Sequence, residues 1–260
     1  MLLERLRALT PEEWRAPTEC PEWDVKGIAL HVLGDDFSLL SRQRDESTNG
    51  LLLMAEELPG VDFRTLLDAF NDRWVHVAQF FSTALVVELL ELTGRLTSEW
   101  YRAVPPDLLG EPVFYVGPEP APYWMIAARE FGERWIHHCQ IARAIGEPTP
   151  DDPAMVVPFM AGAIRGFPQT MALLGAPPAT TVSVEVASTA WTLRHDPDGW
   201  HVYDGRPAEP TVAVAMAPIT ASALISRGLT GEEIRSAIAV SGDATLAGRL
   251  LDGFVGFFGR

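Results

Sequence analysis

The spacing of apolar residues changes once along this chain of 260 residues, and that change limits the folds open to it. Up to Pro148 the pattern is helical. Val25, Ile28, Ala29, Val32, Leu33, Phe37 and Leu40 fall at helical spacing. A second helical stretch opens at Asp62 and runs to Trp100, with a break near Ser82-Thr83, and a third runs from Tyr123 to the stop signal Gly146-Glu-Pro148. Between these last two lies Gly110 to Pro122, a Gly/Pro-rich connection whose one β-prone run is Val113-Phe-Tyr-Val116. Pro153 to Leu174 still reads as helix, with Gly and Pro interruptions. Then Thr181-Val-Ser-Val-Glu-Val186 alternates at period two, as a half-buried strand does. Trp191 to His195 and Trp200 to Tyr203 flank the turn Asp196-Pro-Asp-Gly199, a hairpin signal. Thr211 to Ala215 and Ala237 to Val240 read as strands, Ile219 to Ser226 and Ala244 to Phe254 as helices. The expectation is a two-domain chain, all-α then α+β, with residues 1–148 in the first domain and 149–260 in the second.

Charge narrows the partners. Twenty Lys and Arg against thirty-five Asp and Glu leave a net charge of −15. Such a surface repels phosphate backbones and anionic lipid, which argues against nucleic-acid and membrane-surface partners. No run reaches the roughly 18 apolar residues of a membrane span. Met1-Leu-Leu-Glu-Arg-Leu-Arg7 carries charges where a signal peptide is apolar. Two cysteines, Cys20 and Cys139, are too few for a disulfide scaffold. A cytoplasmic protein, monomeric or homodimeric, is expected.

The third helical stretch carries the chemistry. One of its stripes, Trp124, Ala128, Phe131, Trp135, Cys139 and Ala142, is plain core. The other, Ile126, Glu130, Glu133, His137, Ile141 and Ala144, is apolar at its ends and acidic in the middle. A carboxylate buried there needs compensation. Glu133 and His137 stand four residues apart and meet on one face. Either they form a solvated pair or a divalent metal compensates both, since imidazole nitrogen and carboxylate oxygen are zinc ligands. His31, in the apolar run Val25 to Leu33, and His76 read as hydrogen-bonded core histidines. His195 and His201 flank the hairpin turn and read as solvent-facing, and His138 lies one residue off the Glu133 stripe.

Two segments carry a resemblance. Leu9-Thr-Pro-Glu-Glu-Trp14, Pro17-Thr-Glu-Cys20-Pro-Glu-Trp23-Asp-Val25 and His31-Val form the first. Arg129-Glu-Phe-Gly-Glu133-Arg-Trp135-Ile-His137, closed by Ala144-Ile-Gly146, forms the second. Together they resemble the mycothiol-dependent maleylpyruvate isomerase family, within the broader DinB-like bundles. The resemblance implies an N-terminal DinB-like four-helix bundle and a smaller α+β domain similar to sterol-carrier proteins, with Val240-Ser-Gly-Asp243 near its end. It implies metal ligands at His31, Glu133 and His137, and zinc, or another divalent ion, as the metal. Three positions after the motif histidine, where the family often has Asp, this chain has Gln140. The family's arginine that faces the metal is matched to Arg227, with Arg249 as rival and a solvated helix end as the plain reading of either.

Three protein ligands leave an open position, which suits a catalytic site. The function that the family resemblance implies for it is a metal-dependent thiol transferase or maleylpyruvate-type isomerase. It would activate a low-molecular-weight thiol such as mycothiol for S-transfer to, or cis–trans isomerisation of, a small electrophile. Metal-bound water acting in hydrolysis is the other use of an open position. Cys139, on the core stripe, and Cys20, in a turn, read as structural. The alternative is a non-catalytic metal-binding bundle whose C-terminal domain binds a small molecule or partner.

Overall fold

A computed structural model describes residues 1–259. The chain divides into two compact units, 1–106 with 141–147, and 107–140 with 148 onward.

The first unit is helical. It contains α1 (Leu2–Ala8), α2 (Val25–Leu39), α3 (Gly50–Glu57), α4 (Phe63–Ala78) and α5 (Thr83–Ala103). Each long helix starts where its sequence supplies a cap. Asp24 accepts from the Gly27 amide, Asp62 from Arg64 and Thr65, and Ser82 from Leu85. The break expected near Ser82 is therefore a true helix boundary. A π-turn, Leu40–Arg44, follows α2 directly. The core joins Val25, Ile28, Leu30 and Leu33 of α2 to Val75 of α4, Val86 and Leu90 of α5, and Ile141. Each such fully buried aliphatic side chain stabilises the fold by roughly 1.5–3 kcal/mol relative to exposure. Within this core Asp36 is a buried acid that accepts from Thr93 Oγ1 at 2.7 Å and Thr97 Oγ1 at 3.3 Å. Those bonds compensate a carboxylate that burial alone would penalise.

The second unit opens with β1 (Leu109–Pro112) and β2 (Pro120–Pro122), paired antiparallel, and continues into α6 (Tyr123–Ala144), whose last turn belongs to the first unit. Here the expectation needs correction: Val113 to Val116 forms the turn of this hairpin, closed by Val116 N–H donating to the Val113 carbonyl, and the strands flank it. The interrupted helix expected over Pro153 to Leu174 is present as α7 (Pro153–Ala163) and α8 (Phe167–Met171), separated and followed by single 3-10 turns. Five strands come next among the remaining elements: β3 (Thr181–Val186), β4 (Thr189–Asp196), β5 (Gly199–Asp204), β6 (Val212–Met216) and β7 (Ala239–Gly242). They form a sheet in the order β5-β4-β3-β6-β7, antiparallel throughout except for the parallel β3–β6 pair. The helices α9 (Pro218–Ile225) and α10 (Gly231–Ala237) fill the β6–β7 crossover, and α11 (Ala244–Phe258) closes the chain.

Alternation puts Val182, Val184, Val186, Leu193, Val212 and Val214 on one sheet face. There they meet Phe159, Met160, Phe167 and Met171 of α7 and α8, and Leu250 and Phe254 of α11. Trp135 and Cys139 of α6 enter the same core, and the Trp135 indole N–H donates to Ser222 Oγ at 3.1 Å. No helix among the described residues is long and apolar enough to cross a membrane.

Candidate metal centre

The two stripes read along α6 separate as expected in the middle of the helix. Trp135 and Cys139 face the sheet core, while Glu130, Glu133 and His137 line the neighbouring face. Glu130 is only 4% exposed, and it pairs with Arg129 and, at 3.9 Å, with Arg134. The stripe fails at its start, because Trp124 is 39% exposed and lies beneath the Arg165 guanidinium at 5.9 Å. Arg143 of the last turn forms a two-pronged pair with Glu19 at 2.5 and 2.8 Å.

Glu133 Oε2 stands 3.7 Å from His137 Nε2. One ligand atom from each of His31, Glu133 and His137 lies within 4.8 Å of the others. Two ligands of a tetrahedral zinc ion stand about 3.3 Å apart, the separation such a set would take around an ion. Two imidazoles and one carboxylate suit a divalent first-row metal. Both histidines are nearly buried, His31 at 8% and His137 at 6% exposure. His137 Nδ1 lies 2.8 Å from Gln140 Oε1. An amide oxygen only accepts, so Nδ1 carries a proton, and in the neutral ring the lone pair is then the one on Nε2, toward Glu133. Gln140 thus performs the orienting contact that a carboxylate performs beside many metal-bound histidines.

Around this trio stand residues that sequence reasoning passed over. Asp35, one turn after His31 on α2, places Oδ2 3.5 Å from His31 Nε2. Its spacing of four was legible. The Trp23 ring lies against the His31 ring, centroids 4.8 Å apart. Tyr115 of the β1–β2 turn has its hydroxyl pushed up to about 12, first by burial and then by the Glu133 charge, so the phenol stays neutral.

The other histidines resolve separately. His76 is exposed, contrary to the core reading. His138 is buried edge-on to Trp135, His195 stacks on Trp200, and His201 meets Asp198 at 3.1 Å. Arg227 is exposed, in a left-handed conformation (φ 55°) just past α9, and makes no ion pair among the described residues. Its rival Arg249 donates to the Leu174 carbonyl at 3.4 Å.

Residues 1–142 match the family model described as the mycothiol maleylpyruvate isomerase N-terminal domain. No curated protein matches the chain by sequence. A crystal structure of the mycothiol-dependent maleylpyruvate isomerase matches with a TM-score of 0.51 and 13% identity, covering 92% of this chain and 87% of that one. At that identity the likeness shows a shared fold. A sterol carrier protein 2 like 2 from Aedes Aegypti covers 38% of this chain and 96% of its own at 24% identity, with a TM-score of 0.29.

Proposed function

Because the chain belongs to the family of mycothiol maleylpyruvate isomerase N-terminal domains, we propose that it is a metal-dependent enzyme that uses a low-molecular-weight thiol, mycothiol or a close analogue, to isomerise a small electrophilic alkene. The observation that carries this reading is the approach of the His31, Glu133 and His137 donor atoms to within 4.8 Å of one another. Zinc bound there would lower the pKa of a coordinating thiol.

The chain's own residues divide the remaining work. His31 and His137 would hold the ion through imidazole nitrogens, and Gln140 keeps a proton on His137 Nδ1. Glu133 supplies the ligand charge. Neither cysteine competes with an external thiol. Burial, with Glu19 and Glu22 beside it, pushes the Cys20 thiol up, and Cys139 is fully buried. Arg227 is the cation we assign to a carboxylate of the electrophile, since Arg249 is already engaged. In the reaction the thiolate sulfur forms a bond to one alkene carbon and the alkene π pair moves onto the conjugated acceptor. The C–C bond, now single, rotates. The pair then returns, the same thiolate leaves, and the trans alkene is released with the thiol regenerated. Protonation of the adduct instead of its collapse gives S-transfer from the same site.

The test is elemental analysis of protein purified without chelator, followed by turnover of maleylpyruvate with mycothiol, with other small thiols and with none. One zinc per chain and thiol-dependent turnover are expected. Equal rates without thiol would replace the thiol mechanism with hydrolysis. A metal-free protein inactive with every thiol would favour a binding module.

A further inference from the structure

We propose that Trp23 and Asp72 are positioning residues for His31, holding its imidazole in the orientation that accepts a metal ion. The inference rests on the metal-site reading above.

The argument begins with the chain before α2. Asp24 caps the helix, so Trp23 is the last residue outside it. Its backbone is fixed on both sides: its N–H donates to the Cys20 carbonyl at 2.9 Å, and its carbonyl accepts from Thr18 Oγ1 at 2.6 Å. From there the side chain turns back along the surface of α2. It has room because residue 27 is glycine. A Cβ on Gly27 would come to 2.9 Å from Trp23 Cβ and 3.3 Å from its Cγ. The indole therefore runs past the first turn and comes to rest against the His31 ring, centroids 4.8 Å apart and tilted by 32°.

The far end of the indole is also held. Its N–H donates to Asp72 Oδ1 on α4 at 3.0 Å. Among the described residues Asp72 makes no ion pair, although Arg73 beside it pairs with Glu57. Its carboxylate is thus committed to the indole. His31 is bounded by the Trp23 ring on one side and by Asp35 at its Nε2 edge. A ligand side chain locked before the ion arrives loses less rotamer freedom on binding, and contacts that orient metal-bound histidines change affinity by roughly ten- to a hundredfold.

The test is zinc affinity of the full-length protein, stripped with chelator and titrated against a chromophoric competitor. Trp23→Leu is expected to weaken zinc binding about tenfold. Asp72→Ala should weaken it severalfold. Asp72→Asn should restore it, because the amide oxygen still accepts the indole N–H. The double variant Trp23→Leu/Asp72→Ala should be no weaker than Trp23→Leu alone, since both act through one ring. Zinc should also change the tryptophan fluorescence of the wild type by more than that of Trp23→Phe. Asp72 is exposed, so its variants report even if a Trp23 variant folds poorly. Wild-type affinity in Trp23→Leu and Asp72→Ala would overturn the positioning role while leaving the metal site standing. Asp72→Asn as weak as Asp72→Ala would also overturn it, since charge would then be the cause. A wild type that binds no zinc would remove both readings.

Discussion

Nδ1 of His137 stands 2.8 Å from Oε1 of Gln140, three residues further along the same helix. This contact selects the tautomer whose Nε2 faces Glu133. Replacing Gln140 by Leu should weaken zinc binding by roughly ten- to a hundredfold without unfolding the chain. Gln140→Asp, which restores an acceptor, should bind nearly as wild type. Competition with a chelator measures both.

Cysteine chemistry gives a second expectation. Burial and the charges of Glu19 and Glu22 push the Cys20 thiol above its usual range, and Cys139 is inaccessible. Native protein at pH 7 should take up iodoacetamide slowly at Cys20 and not at all at Cys139, while unfolded protein reacts at both. Mass spectrometry reads the difference. Cys20→Ser should retain thiol-dependent turnover.

Gly242 and Gly248 should respond oppositely to alanine. Gly242 has φ +103°, and an added Cβ would overlap the Thr211 carbonyl, which accepts from the Asp243 amide. Gly242→Ala should cost about 1–3 kcal/mol or more. Gly248 lies inside α11 with nothing near its missing Cβ, so Gly248→Ala should add up to about 1 kcal/mol. Urea unfolding distinguishes them.

Tyr115 predicts an alkaline loss of stability. Its hydroxyl moves from 10.0 to about 12, mainly through burial, so the folded chain resists ionisation more than the unfolded chain does. The contribution is intact below pH 10 and is lost as pH rises through 10 toward 12. For metal-free protein, unfolding free energy should fall by up to about 2 kcal/mol across that range from this group. Tyr115→Phe should lose correspondingly less.

The period change along the chain located the helical region and the strands β3 to β6, because in those segments burial on one face dominates. Weaker burial left gaps. The helix α10 buries Ile234 and has too few apolar residues to show a period, although Thr230 and Glu233 form a capping box at its start. The strands β1 and β2 contain Pro112, Pro120 and Pro122, which ordinarily argue against strand. They persist in a two-stranded pair with no inner position to fill. At the site, the spacing of Glu133 and His137 exposed that pair, and the family resemblance supplied His31. Trp23 was hidden because it reaches His31 by folding back over Gly27, and it meets Asp72 across 49 positions of sequence. Trp124 continued the stripe past the point where the core ends.

The two faces of α6 have a practical consequence for anyone cutting this chain into pieces. Glu133 and His137 project from one face, while Trp135 and Cys139 of the same helix sit among sheet-core residues such as Phe159 and Val184. A fragment ending at Pro148 would retain all three candidate ligand side chains, His31, Glu133 and His137. It would also present the Trp135 side of α6 to water, with the indole separated from Ser222. Such a fragment is prone to aggregate, and a failure of that truncated protein to bind metal would report on its missing support rather than on its ligands.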